Sequence, residues 1–196
     1  MRWIVRNLDL VLRRLTGVIE YWDDPQCLFR IQRGRAPREL RLSDGSVVPA
    51  GAPVIILHLW NEQLPQIGPS GADLAWALEV GRRLRLSLRA LAEVAQSDKR
   101  FQDGLALGGV TVLAPLGTAA GGTRLLQRLG FDVMPHPPNV FGRFGMLVDN
   151  LYVWGLMWTF NKGTLGTKRF SELERTEIWM SRRTLLERHG RPAETS

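Results

Sequence analysis

The first stretch of the chain repeats apolar residues with the period of a helix. Residues 3–19 place five of them on one side, which predicts an amphipathic helix whose opposite side is basic: Ile4, Leu8, Val11, Leu12 and Leu15. We expect this helix either to dock on the rest of the domain or to lie in a membrane surface.

Residues 27–60 follow the two-residue period of strands and predict a β-meander. The segment CLFRIQR (27–33) is its first strand. The pair Asp44-Gly45 separates two short alternating runs, which predicts a hairpin with positive φ at both central positions. The segment PVIILHLW (53–60) is almost continuously apolar, which predicts a central strand covered on both faces.

The second half of the chain predicts helices and strands in alternation. A helix over 70–97 begins at the N-cap Ser70, with Asp73 three residues later in an acidic capping box. A strand over 109–114, a glycine-rich turn, a helix over 123–129 and a strand over 131–134 form a βαβ-like unit, or an αβ layer if the pairing is antiparallel. An aromatic helix around 147–158 and a charged helix over 172–188 follow.

Together these patterns predict the α+β class. We expect a single domain over residues 20–190, built on a mainly antiparallel sheet of about five strands flanked by helices. The amphipathic helix (1–19) precedes it, and a frayed tail (191–196) follows it.

Composition limits the function. The 196 residues carry 26 Lys and Arg against 19 Asp and Glu, a net charge of +7, and only three of the cations are lysines. Arginine suits phosphate and carboxylate groups, but no nucleic-acid-binding motif accompanies the charge, so nucleic acid is not the expected partner. The single Cys27 excludes an internal disulfide framework, and the widely spaced histidines predict neither a metal site nor a cofactor.

The sequence also predicts no targeting signal. No clean apolar region near the N-terminus predicts a signal peptide, and no segment is apolar and long enough for a transmembrane span. We therefore predict a cytoplasmic protein, with peripheral contact to the inner face of the membrane through residues 3–19 as the sharper alternative.

The segment HLWNEQLP (58–65) is the most site-like part of the chain. His58 and Glu62 are an even number of residues apart, so on a strand both would point to one face as an acid–base pair. His136, held between prolines, is expected to face His58 across a cleft if both strands end on the same side. The alternative is that His58 and Glu62 only satisfy buried backbone groups and fix the following loop.

A glycine-rich segment, PLGTAAGGTRLL (115–126), opens a helix after a strand, where phosphates meet helix N-termini. We take Thr123 and Arg124 in that first turn, and Arg143 near His136, as candidate anion-binding residues. The segment matches neither phosphate-loop nor dinucleotide-binding motifs. The fragment GGTRLLQRLGF resembles the coenzyme-A loop and helix of acetyltransferases. An ordinary tight connection is the alternative.

The order of a strand, an LSDG hairpin (42–45), an apolar strand ending in HLWNE (58–62), a long helix and a GVTVLA…LGFDV unit resembles the bacterial YkoP-like domain. That family occurs alone and attached to polysaccharide deacetylase-type proteins. The resemblance implies a link to cell-envelope glycan or glycolipid metabolism. It does not imply deacetylation, because this chain lacks the His/Asp metal motifs of the deacetylase catalytic domain.

Two functions of different class remain open, so the sequence does not decide whether the protein is an enzyme. One is an accessory domain that binds an anionic glycolipid or a partner enzyme of envelope biosynthesis. The other is a small transferase or hydrolase acting on an activated acyl or phosphorylated sugar substrate, with His58 and Glu62 as its acid–base pair.

Overall fold

The computed structural model describes residues 17–66, 73–112, 119–135 and 175–191, and within them the fold is α+β, as predicted. The five strands of the main sheet are β1 (Phe29–Arg35), β4 (Pro53–Leu59), β5 (Ala106–Val112), β6 (Asp132–Pro135) and β7 (Arg175–Ser181). A separate hairpin consists of β2 (Leu40–Arg41) and β3 (Val47–Val48). The helices are α1 (Leu74–Ser97), α2 (Ala119–Leu129) and α3 (Arg182–His189), and a 3-10 turn spans Asn61–Gln63.

The main sheet has the order β1-β4-β5-β7-β6 and is mostly antiparallel, as the sequence predicted. The exception is the parallel pair β4 and β5, which α1 connects. The predicted βαβ-like unit is divided, because β7 lies between β5 and β6 and is antiparallel to both. A strand contributed from far along the chain therefore completes this half of the sheet.

The predicted charged helix over 172–188 is wrong in its first half, because residues 175–181 form β7. Ile178 and Met180 belong to one core cluster, whereas Trp179 belongs to the other. This alternation is that of a strand, and pairing with β5 along all seven residues of β7 stabilises it. The helical part, α3, begins only at Arg182.

Both internal helices begin elsewhere than predicted. In α1 the N-cap is Asp73, whose side chain accepts a hydrogen bond from the Trp76 N–H at 2.8 Å, while Ser70 lies outside the described residues. The second helix, α2, begins at Ala119, four residues before the predicted start at Thr123. Glycine disfavours helix, but Gly122 is buried, so packing outweighs propensity here.

The two faces of the main sheet bury different partners. The helices cover one face through a large apolar cluster that includes Leu84, Leu88, Leu126, Leu185 and strand residues such as Ile31 and Ile55. The hairpin covers part of the opposite face through Leu40, Leu42, Val48, Val54 and Trp179. The rest of that second face, toward the carboxyl end of β4, carries polar side chains.

The Asp44-Gly45 hairpin forms, but not with the predicted turn. Gly45 alone is left-handed (φ +83°), and its N–H bonds the Leu42 carbonyl at 2.9 Å. This combination is typical of a hairpin loop that is longer than two residues and ends in a left-handed glycine. Asp44 is not left-handed, and its carboxylate turns toward α3.

The predicted N-terminal helix over 3–19 is wrong at its end, because Gly17 is left-handed (φ +70°) and Ile19 pairs with Ile31 of β1 through backbone hydrogen bonds of 2.8 and 3.0 Å. Residues 3–16, the predicted aromatic helix around 147–158 and the last five residues lie outside the described residues.

Candidate ligand-binding site

The main sheet opens between its two parallel strands. β4 and β5 pair only at Ile55 with Leu107 and at Ile56 with Gly108. Yet β4 remains paired with β1 as far as Leu59, and β5 remains paired with β7 as far as Val112. The register between the two strands therefore ends at Gly108, although Gly109 still lies against Leu57, because a Cβ on Gly109 would be 3.5 Å from the Leu57 carbonyl oxygen. We call the region beyond this contact, between residues 58–59 and 110–112, the β4–β5 opening.

Backbone groups line this opening. The Trp60 N–H bonds the Leu28 carbonyl at 2.8 Å, so by alternation the backbone groups of Leu57 and Leu59 face away from β1, toward β5. On β5 the same alternation directs the backbone groups of Val110 and Val112 toward β4. The Leu57 N–H belongs to the last bridge, Ile56 with Gly108, and beyond it the described ranges contain no further register pair between β4 and β5. At about 3.3 Å per residue, the edge is about 7 Å long on β4 and about 10 Å long on β5.

His58 lies on β4 beside the opening, and its ring is half-buried. Its Nε2 is 2.9 Å from Oε1 of Gln32 on β1. Burial lowers the pKa of His58, and the charge of Arg30 lowers it further. The imidazole is therefore neutral near pH 7, with Nε2–H donating to Gln32 and a lone pair on Nδ1.

Arg30 holds the polar side chains behind His58 in place. It lies directly opposite His58 in the β1–β4 register, and its guanidinium carbon is 4.2 Å from the centre of a Trp60 ring. Its Nε is 3.3 Å from Glu20 Oε1, and a terminal nitrogen is 3.9 Å from Glu62 Oε2. A buried cation is thus fixed by two carboxylates and an aromatic ring.

The predicted partners His58 and Glu62 therefore have different contacts in the structure. β4 ends at Leu59 and Glu62 lies in the 3-10 turn, so strand alternation does not extend to Glu62. Its carboxylate contacts Arg30, whereas His58 contacts Gln32. The acid–base role of each residue stays a prediction.

The other predicted site residues are dispersed or undescribed. His136 and Arg143 lie outside the described residues. Because α2 begins at Ala119, Thr123 and Arg124 are in its second turn and not in the first, as the sequence predicted; Thr123 is half-buried and Arg124 is exposed. In the described ranges no group of three His, Cys, Asp or Glu side chains is arranged to hold a metal ion.

Comparison with known families adds one finding. The sequence model of the YkoP domain matches residues 1–189, which is nearly the whole chain. The chain belongs to the YkoP domain family. No curated protein and no solved structure matches it. In the described part of this YkoP domain, no helix is long and apolar enough to cross a membrane.

Sequence analysis missed several residues of this site in the YkoP domain. Arg30 and Gln32 carry a usable signal, since they alternate with the buried apolar residues Phe29 and Ile31, which indicates a polar environment on one face of β1. Gly108 and Gly109 carry another, because glycines inside a strand indicate a bulge or a close backbone approach. A Cβ on Gly108 would overlap the Ile178 carbonyl oxygen, so β5 and β7 approach closely where the opening begins.

Proposed function

We propose that this protein binds a pantetheine thioester, the acyl-bearing arm of coenzyme A or of an acyl carrier, in the β4–β5 opening. His58 then assists transfer of the acyl group to an amine or hydroxyl acceptor. The observation that carries the proposal is the opening itself. Here the parallel strands β4 and β5 remain paired with β1 and β7, while their pairing with each other ends.

The chemistry of the pantetheine arm fits the edges of the opening. Backbone N–H and C=O groups are costly to leave unpaired, and an extended ligand with amides can pair with them as an added strand does. The arm carries two secondary amides on an extended chain. Leu59, Val110 and Val112 present donors and acceptors toward the space between the strands.

His58 supplies the base. Because its pKa is lowered, the imidazole is deprotonated at neutral pH and Nδ1 can accept a proton. The acceptor nitrogen or oxygen bonds to the thioester carbonyl carbon and the C–S bond breaks. His58 takes the proton that the acceptor loses and passes it to the leaving thiolate, which departs as the thiol. Gln32 orients the ring through Nε2.

A variant of Val110 tests binding in the opening. Val110→Pro removes one N–H that faces the opening, and the preceding Gly109 tolerates a following proline. We expect the affinity for coenzyme A, measured by titration calorimetry, to fall by about tenfold or more. The control Val110→Ala keeps the N–H and should bind like the wild type, with both variants folded by circular dichroism.

The role of His58 is tested separately. His58→Gln keeps a polar side chain but has no lone-pair nitrogen, so release of free thiol from acetyl-coenzyme A with a panel of amines should fall about a hundredfold or more. Coenzyme A affinity should be unchanged. Equal coenzyme A affinity of Val110→Pro and Val110→Ala would contradict the opening as the binding site. Full activity of His58→Gln would contradict the role of His58 as the base.

The link to cell-envelope glycan or glycolipid metabolism, including association with polysaccharide deacetylases, stays a prediction. It is supported by the sequence resemblance alone. In that setting the acyl acceptor would be an amino sugar or a lipid-linked glycan, and acylation of amino sugars by whole-cell extracts of a deletion strain compared with its parent would test it.

A further inference from the structure

A second surface, formed by the helices, contains several arginines that have no carboxylate partner among the described residues. Most described arginines on strands and loops have an acidic neighbour, for example Arg33 with Asp103 and Arg38 with Glu177. Five exposed arginines on the helices differ, because no carboxylate of the described residues forms an ion pair with them. We call them the arginine face: Arg85, Arg89, Arg124, Arg128 and Arg188.

The five side chains belong to one surface because α3 ends between the other two helices. His189 Nε2 is 2.9 Å from the Leu129 carbonyl at the end of α2. Burial lowers the pKa of His189, and the hydrogen bond with the Leu129 carbonyl opposes this effect. The charges of Arg188, Arg89 and Arg85 lower the pKa further, because these arginines lie near the ring. A terminal nitrogen of Arg188 is 3.5 Å from the Arg128 carbonyl.

Two exposed leucines extend this surface. Leu74 and Leu78 are 75% and 62% exposed at the start of α1. At about 100° per residue, they fall within about 60° of Arg85 and Arg89 around the helix axis. Exposed leucines on the same side of a helix as arginines are typical of a helix that lies in the surface of an anionic membrane.

We propose that the arginine face, together with Leu74 and Leu78, docks on an anionic phospholipid bilayer. The unneutralised guanidinium groups match lipid phosphates in charge and in geometry. The leucines decide between a bilayer and a nucleic acid, because a phosphate backbone would pair with the arginines and leave both leucines in water. This surface consists of residues other than 3–19 and other than those of the β4–β5 opening.

The test compares vesicle binding by full-length variants of equal charge. Arg85→Gln with Arg89→Gln removes two charges from the arginine face. Arg35→Gln with Arg41→Gln removes two from the strands, where Arg35 contacts the Gly51 carbonyl and Arg41 pairs with Glu39. All four side chains are exposed, so the melting temperatures should stay close to that of the wild type. Residues 1–16 are present in every variant and contribute equally.

We expect partitioning onto vesicles of phosphatidylcholine with phosphatidylglycerol to fall about thirty-fold for the first pair, at about 1 kcal/mol for each cation. The second pair should change it less than about threefold, since those side chains lie away from the docked face. Leu78→Ser should weaken binding as well, and pure phosphatidylcholine should bind little. Equal losses from both pairs, no binding to the anionic vesicles, or tight binding to duplex DNA that Leu78→Ser leaves unchanged would each overturn the proposal.

Discussion

Asp44 fastens the β2–β3 hairpin to the start of α3, although 137 residues separate it from Ser181. Its carboxylate accepts hydrogen bonds from the hydroxyls of Ser181 and Thr184, and from the Ser46 N–H. Burial acts to raise the pKa of Asp44, but these hydrogen bonds together hold it at about 2. One ionised side chain thus ties the second core cluster to α3.

The first prediction concerns Asp44. Its folded pKa is below the unfolded value of 3.8, so the stabilisation is present above about pH 4 and is lost as the pH falls toward 2. Over this range the free energy of unfolding of the wild type should therefore fall by up to about 2 kcal/mol more than that of Asp44→Asn. Urea unfolding at several pH values measures this difference.

Asp103→Asn is the control, because it removes a carboxylate from an exposed pair with Arg33 and should stay within about 0.5 kcal/mol of the wild type near pH 7. An Asp44→Asn protein with the same pH profile as the wild type would contradict the assigned role.

At the level of single residues, the sequence does not predict the contacts of the candidate site. His58 lies beside the opening, and its role as a site residue stays a prediction. Its contact with Gln32 was not predicted, because the β1–β4 register that brings the two together depends on pairing between distant segments.

Helix α1 positions the strand that leads to the opening. Ser87 in the middle of α1 is fully buried, accepts a hydrogen bond from the Leu28 N–H at 2.8 Å and donates to the Arg83 carbonyl. Leu28 in turn accepts from the Trp60 N–H. A single helix hydroxyl therefore fixes the start of β1 and the end of β4.

A second prediction follows for this element. Ser87→Ala leaves the buried Leu28 N–H without its partner and should lower the free energy of unfolding by about 1–3 kcal/mol. Ser97→Ala removes a similar hydroxyl at the exposed end of α1, where Ser97 donates to the Glu93 carbonyl, and should change stability by less than about 0.5 kcal/mol. Chemical denaturation compares the two, and equal losses would refute the role given to Ser87.

The elements that local pattern predicted correctly are those whose own residues carry a clear period or turn signal. The hairpin, β4 and the body of α1 belong to this group, since apolar periodicity and turn residues determine them. β7 was predicted as a helix because its charged neighbours dominate the local pattern. Its strand form depends on β5, whose paired residues precede it by dozens of positions.

At the scale of the whole molecule, the α+β class and the mainly antiparallel sheet were predictable, and both are confirmed. The β4–β5 opening was not. It exists because β4 stays paired with β1 and β5 stays paired with β7, while the register between β4 and β5 ends at Gly108. The opening results from the registers of two long-range strand pairs, β1 with β4 and β5 with β7. A local pattern of residues does not predict such registers.

Amide hydrogen exchange, measured residue by residue with NMR, tests the central claim most directly. The amides of Leu59, Val110 and Val112 face the opening, whereas the Ile178 amide lies in the β5–β7 ladder. The account predicts that saturating coenzyme A slows exchange at the first three and leaves Ile178 unchanged. Binding of coenzyme A without protection of these amides, or no binding at all, would contradict it.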